Sequence, residues 1–344
     1  MFRYLLPILI IISVFNIAFS LSSGETQISS TVWFRYFITC QQEPIVGKYE
    51  FIHSHFNVGR GYFQLSHTFN DRFSGTFLIN VLTDPSYSAS ARIELKLAMV
   101  SMNLTDNIRV RGGVIPFEFG LESIWKYRII PLSLAGERRF IPSCDFGSDI
   151  TIKLANLLNI TTQITNGEGY LSSGGSVNDY PAISTDIRLK YRKVDTGVSA
   201  VFEKNGGLNT SDEQKNRFVI EPFFRIELGK VDLMAEMAYA SYAKDWGARK
   251  SLGYMVSSTI QLNPFIEPVA RFDIFDPDSD VVDDRMIQFL GGVNLYLYHP
   301  NEGKFVPNIV FQPEWRLTTY QNEDKKPTYE ILMQLQFNFD TQPF

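Results

Sequence analysis

Segments with two unlike faces recur along this chain and limit its possible folds more than any other feature. The stretch TYEILMQLQFNFD, residues 328–340, shows the pattern clearly. Every second residue from 331 to 339 is apolar, and the residues between them are polar except Leu332. This period of two is typical of a β-strand with one apolar and one polar face. The apolar face of such a strand meets either a protein core or membrane lipid.

About sixteen such strands are predicted. In segment 216–228, Phe218 and Phe224 lie on the apolar face, whereas Arg217 and Glu221 lie on the opposite one. Segments 183–192 and 285–298 alternate equally well, and segments 58–70, 146–156 and 158–166 less well. The predicted strands are 28–40, 58–70, 72–83, 91–104, 107–116, 146–156, 158–166, 183–193, 194–204, 216–228, 230–242, 249–262, 264–275, 285–298, 304–320 and 327–340. Each is long enough to cross a bilayer at a tilt.

The connections between these strands alternate in length. Tight turns such as "TDN" at 105–107 and "RKVD" at 192–195 separate longer polar segments. The predicted long loops are 41–57, 84–90, 117–145, 167–182, 205–215, 243–248, 276–284 and 321–326. The turn "HPNEGK" at 299–304 is longer than the other tight turns. Outer-membrane barrels have short turns at the periplasmic end and long loops outside.

The predicted fold class is therefore all-β, a transmembrane antiparallel up-and-down barrel of about sixteen strands. Its apolar stripes face lipid, and charged residues such as Arg188 and Glu227 line a lumen. Barrels of about this size enclose an aqueous channel, whereas eight strands leave a lumen filled by side chains. The alternative is a secreted soluble β protein, but such a fold has no reason to alternate short and long connections along the whole chain.

The N-terminus predicts export. Arg3 is followed by an apolar run and by Ala18-Phe19-Ser20, which has the small-x-small pattern of a signal-peptide cleavage site. The expected organisation is a signal peptide over 1–20 and a barrel in the outer membrane of a Gram-negative bacterium over 21–344. A membrane-anchoring helix is the alternative, although the run is short for a span.

Composition excludes some partners. The net charge of −5 argues against nucleic acid. The 28 Phe and 16 Tyr residues suit strands and the aromatic girdles of membrane barrels. Cys40 and Cys144 are the only cysteines, so the chain is not a disulfide scaffold, and whether these two pair stays open.

Segment 117–145 is the longest predicted connection and the third long loop. In large porins such a loop can fold into the barrel and narrow it. Arginine or lysine rings in a pore favour anions. The candidate pore-lining residues combine loop, strand and adjacent wall positions: Arg109, Arg111, Arg128, Arg138, Arg139, Arg188, Lys190 and Arg225. A solvated external loop with ordinary charges is the alternative.

Three stretches resemble the phosphate-selective porin O/P-like family. These are "GGVIPFEFGLE" (112–122) followed by "ERRF" (137–140), "ITNGEGY" (164–170), and "PVARFDIFDPD" (268–278) followed by "FLGGVNLYLY" (289–298). The resemblance covers most of the barrel loosely and implies a trimeric sixteen-stranded porin with a basic lumen. The predicted lumen here mixes signs, with Asp186, Glu221 and Glu267 among its carboxylates. This mixture argues against strict phosphate selectivity.

No enzymatic chemistry is predicted. The sequence has no G-x-S-x-G motif, and "HSH" at 53–55, expected in the first long loop, is a weak metal signal without a cysteine partner. No cofactor is expected. The predicted function is passive diffusion of small hydrophilic solutes or ions, with anions favoured if the arginines dominate. The alternative is a non-conducting outer-membrane adhesin or recognition barrel that acts through its long loops.

Overall fold

The computed structural model describes residues 24–42, 49–83, 92–126, 128–171, 180–204, 216–241, 250–298 and 308–340. Sixteen strands form one closed antiparallel barrel in which each strand pairs with its neighbours in sequence. The strands are β1 Glu25–Gln42, β2 Tyr49–Thr68, β3 Phe73–Leu82, β4 Arg92–Thr105, β5 Ile108–Pro116, β6 Cys144–Leu154, β7 Leu158–Thr165, β8 Ala182–Tyr191, β9 Val194–Glu203, β10 Arg217–Leu228, β11 Val231–Ser241, β12 Lys250–Ile260, β13 Ile266–Asp276, β14 Met286–Tyr298, β15 Asn308–Tyr320 and β16 Thr328–Asp340. The predicted fold class is confirmed.

The barrel closes between its first and last strands. Ile38 lies opposite Ile331, and Arg35 lies opposite Gln334. Closure leaves no unpaired sheet edge, which would otherwise expose a row of backbone donors and acceptors. It also brings residues separated by about 300 positions into contact, because β1 and β16 are adjacent only in space.

The alternation of apolar and polar residues in the sequence corresponds to the outer and inner faces of the barrel. Along β11 every second residue is buried without interruption. Glu221 and Ser199 are fully buried on the inner face, whereas Phe224, Val256 and Ile187 are exposed on the outer face. The outer face is thus apolar, the reverse of a soluble protein, and the inner face is polar.

Segment 117–143 between β5 and β6 holds the only helices in the described part of the chain. They are a 3-10 helix, Glu122–Ile124, and one α-helical turn, α1, Leu134–Glu137. The Ser133 hydroxyl caps α1 by accepting from the backbone N–H of Gly136. No helix of the described residues is long and apolar enough to cross a membrane.

One predicted loop is wrong. Residues 49–57, expected in a long loop 41–57, belong to β2, where Phe56 lies opposite Tyr36 and Phe51 opposite Cys40. The stretch is exposed on both faces, which blurred its alternation, and pairing with β1 decides its conformation. His53 and His55 therefore lie on a strand and not in a loop.

Several predictions fall outside the described residues. They are the leader 1–20, the loops 84–90, 205–215 and 243–248, and the turn 299–304. Cys40 and Cys144 are described, and both are free thiols.

Candidate functional site

Segment 117–143 is attached to the inner wall through three buried glutamates. Glu221 on β10 accepts the backbone N–H of Leu121 at 2.8 Å, and Glu314 on β15 accepts that of Ile130 at 2.9 Å. Glu236 on β11 accepts the N–H of Leu134. These bonds satisfy loop donors that neither a helix nor a sheet ladder satisfies.

Wall side chains also donate to the backbone carbonyls of the segment. Arg217 donates to the carbonyl of Phe140 at 2.8 Å, and Asn294 donates to that of Arg128 at 2.9 Å. Arg188 bonds the carbonyl of Gly120 at 2.9 Å. The bonding wall residues come from β8, β10 and β14, so the segment follows the inner face around much of the barrel.

An apolar cluster fills the space between the segment and that wall. Phe119, Leu121 and Leu134 from the segment are fully buried, and Phe223 and Phe275 from the wall pack in the same cluster. Leu332, the apolar exception in the last strand, belongs to this cluster as well.

Gly120 lets the backbone of the segment pass close to the Glu221 carboxylate. Its φ is +47°, a left-handed conformation that glycine adopts at little cost. A Cβ at this position would lie 1.8 Å from Oε1 of Glu221. The glycine therefore lets the chain turn directly over the carboxylate that anchors it.

The candidate arginines on the wall are held in ion pairs. Arg111 contacts Asp149 at 2.7 Å and Glu118 at 2.8 Å. Arg225 is buried and contacts Asp232 at 2.7 Å. These partners offset the charge that each guanidinium would present to a passing ion.

The remaining wall candidates are spread over the barrel. Arg188 lies 3.7 Å from Asp186 and 3.6 Å from Asp195. Arg109 donates to the hydroxyl of Thr151 at 3.3 Å from the inner face of β5. Lys190 is exposed near the end of β8, next to a tight turn.

The three loop candidates have different surroundings. Arg128 contacts Asp232 at 3.3 Å. Arg138 is buried, donates to Gln288 and lies 4.5 Å from the ring centre of Phe275, and this burial lowers the pKa of its guanidinium. Arg139 is exposed. The eight predicted residues thus do not converge on one cluster.

Glu137 in segment 117–143 pairs with two arginines of the wall. It contacts Arg316 at 2.7 Å and Arg271 at 3.0 Å. Burial alone would raise the pKa of the Glu137 carboxyl, but these two guanidiniums outweigh burial and lower it. Glu137 therefore stays ionised and links the segment to β13 and β15.

An open cavity of about 350 Å³ lies between the segment and the wall formed by β1, β2, β15 and β16. Four arginines and one acidic residue contribute its charges: Arg35, Arg60, Arg139, Arg316 and Glu137. Of the eight predicted residues, only Arg139 lines this cavity.

Sequence reasoning missed Arg35 and Arg60. A signal was present, since each is the only Asp, Glu, Lys or Arg in its predicted strand, 28–40 or 58–70. A single charge in an otherwise uncharged strand indicates an inward position. It does not indicate which other charges lie near it.

A metal centre has no support in the described residues. They contain no group of three His, Cys, Asp or Glu side chains arranged to hold an ion. The rings of His53 and His55 stack 5.6 Å apart on β2. Two histidines alone do not complete the four-ligand shell typical of zinc.

No family model and no curated protein matches this sequence. Among solved structures, the outer membrane channel DcaP of Acinetobacter baumannii aligns with a TM-score of 0.63 at 12% identity, over 92% of this chain and 97% of that chain. An anion-selective porin from Comamonas acidovorans aligns with a TM-score of 0.57 at 11% identity, over 94% and 100%. OprB of Pseudomonas putida aligns with a TM-score of 0.60 at 8% identity, over 90% and 94%. At these identities the likeness establishes the porin fold alone.

Proposed function

We propose that this protein is a porin, a passive diffusion channel for small hydrophilic solutes in the outer membrane of a Gram-negative bacterium. The observation that carries this proposal is a closed barrel of sixteen strands with an apolar outside and a charged, open cavity inside. A barrel of this size encloses water and needs no chemistry to pass solutes. No enzymatic activity is proposed.

Segment 117–143 is proposed to lie in the lumen and set the narrowest point. Support comes from its bonds to inward side chains on strands as distant as β8 and β15. The opening left for solute would then be the cavity against β1 and β2. Its lining charges would face every ion that passes.

The channel is proposed to prefer anions. Arg316 is paired with Glu137 at 2.7 Å and with Glu330 at 2.6 Å, so the preference rests on the other arginines of the cavity, Arg35, Arg60 and Arg139. Guanidinium groups in a narrow pore lower the barrier for anions.

The other predicted arginines are proposed to contribute less to this preference. Arg111 and Arg225 have carboxylates within 3 Å, so the field of each pair falls off quickly with distance. The mixed signs of the inner wall favour a general preference for anions over strict selectivity for phosphate.

A homotrimer is proposed from the family resemblance. A feature of the outer face is consistent with subunit contact. From β4 to β7 the strands carry one aromatic residue, Phe146 on β6, whereas β16 alone carries Tyr329, Phe337 and Phe339. Lipid interfaces favour aromatic girdles, so strands without aromatic residues suit a protein neighbour. Mass photometry in detergent tests the trimer, and a monomer mass would refute it.

Export through the leader 1–20 is likewise a proposal, which N-terminal sequencing of the outer-membrane protein tests.

The charge preference is tested with the double variant Arg35→Gln and Arg60→Gln. We expect its reversal potential in a KCl gradient to move toward the cation side, with open-channel conductance retained. Arg285→Gln is the matched control, because Arg285 is an exposed arginine next to Asp276, outside the cavity. An unchanged reversal potential in the double variant would contradict the assignment of anion preference to this cavity.

A further inference from the structure

A buried tryptophan lies beneath the two arginines that sequence reasoning missed. Trp33 on β1 is 1% exposed and lies on the inner face of the barrel. The guanidinium carbon of Arg60 lies 4.5 Å from its ring centre, and that of Arg35 lies 4.8 Å from it. Both distances are within the range of a cation–π contact.

The strand register produces this arrangement. Arg60 on β2 lies directly opposite Trp33, and Arg35 follows two residues later on the same face of β1. A β-bulge between Trp33 and Phe34 leaves Gly59 as an extra residue on β2. A Cβ on Gly59 would lie 2.7 Å from Cδ of Arg35, so the glycine leaves room for the Arg35 side chain to extend over the indole.

The two guanidiniums need such support because they carry like charges on neighbouring positions. Arg35 is bonded to the neutral amide of Gln334 at 2.6 Å. Among the described residues no carboxylate lies within ion-pair distance of Arg35, in contrast to Arg111 and Arg225. The π face of an indole attracts a cation without cancelling its charge. It can therefore hold a guanidinium in place and leave its field available to a solute.

The stacking continues along the wall. Arg60 also lies 5.3 Å from the ring centre of Tyr62, and Nζ of Lys96 lies 4.6 Å from the same centre. Lys96 also donates a hydrogen bond to the hydroxyl of Tyr62. Cationic and aromatic groups thus alternate from β1 to β4, with Trp33 in contact with two of the four arginines that line the cavity.

We propose that Trp33 is a positioning residue for the anion preference: its indole holds Arg35 and Arg60 side by side at the cavity. Trp33 itself does not touch the solute. This inference rests on the proposed function, because it assumes that the two arginines bias the permeating charge.

The test is a series of fluorinated tryptophans placed at position 33 of the full-length protein by nonsense suppression. Fluorination weakens the π face and nearly preserves the size of the ring, so a purely structural role for Trp33 predicts no change. We expect the anion-to-cation permeability ratio in planar bilayers to fall stepwise with each fluorine, by roughly two- to fivefold at full fluorination. The same series at Trp315, on the outer face, is the control and should leave the ratio unchanged.

Two outcomes separate this inference from the proposed function. If Arg35→Gln with Arg60→Gln lowers the ratio and the series at position 33 does not, Trp33 is not a positioning residue and the inference is overturned. If the double variant leaves the ratio unchanged, the proposed anion preference is wrong, and the inference about Trp33 is overturned with it. Trp33→Phe is a second variant, and it should give an intermediate ratio because the Phe ring binds cations less well than indole.

Discussion

The bond between Glu314 and Ile130 gives a direct test of how segment 117–143 is held. Glu314 is 3% exposed and Ile130 is 5% exposed, so water has little access to either group. Glu314→Leu removes the acceptor and leaves the Ile130 N–H unpaired. Losing the partner of a buried donor costs about 1–3 kcal/mol.

This cost should appear as faster local opening. Because each 1.4 kcal/mol corresponds to about a tenfold change, amide exchange at Ile130 should accelerate by roughly 5- to 150-fold. Hydrogen-exchange mass spectrometry of residues 128–133 in detergent measures it. Leu121 and Leu134 should change little, since Glu221 and Glu236 hold them separately.

Glu314→Gln is the matched control. Its amide oxygen can still accept the Ile130 N–H, so the exchange rate should stay close to that of the unmodified protein. Circular dichroism and heat-modifiable migration on gels establish that both variants form the barrel. Unchanged exchange at Ile130 in Glu314→Leu would refute the reasoning that this bond anchors the segment.

Two further predictions concern the same segment. Gly120→Ala should detach its first turn and increase cleavage by added protease, because the new Cβ would collide with Glu221; Gly229→Ala, also at positive φ but with open space around it, should have a much smaller effect. Lowering the pH should loosen the segment as well. The pKa of Glu137 is lower in the folded protein than in the unfolded chain, so its stabilising contribution is complete above the unfolded pKa of about 4.3 and is lost as pH falls through the folded value. Glu137→Gln should loosen the segment at neutral pH and reduce this acid step in the protease assay; an unaltered acid step would contradict the role of this carboxyl.

The strands were predictable because the physics that sets them is local. A membrane strand needs one apolar face, and alternation such as that of Phe218 and Phe224 against Arg217 and Glu221 records it directly. The same reasoning failed at residues 49–57, where both faces are exposed and only pairing with β1 decides the structure.

The site was less predictable because its contacts are distant in sequence. Barrel closure brings Arg35 beside Gln334, and the folded segment brings Arg139 to the cavity that Arg35 lines. No spacing in the sequence encodes these approaches. Leu332 breaks the alternation in the last strand because its side chain faces inward and packs in the apolar cluster between segment 117–143 and the wall.

The central claim is that this barrel is an open channel that favours anions. Planar-bilayer recording of the refolded protein in a KCl gradient tests it most directly. We predict stepwise openings with a reversal potential on the anion side, set by the excess of arginine in the cavity. A protein that is folded but shows no conductance would contradict the channel function and favour a recognition barrel acting through its external loops. Openings selective for cations would contradict the charge assignment.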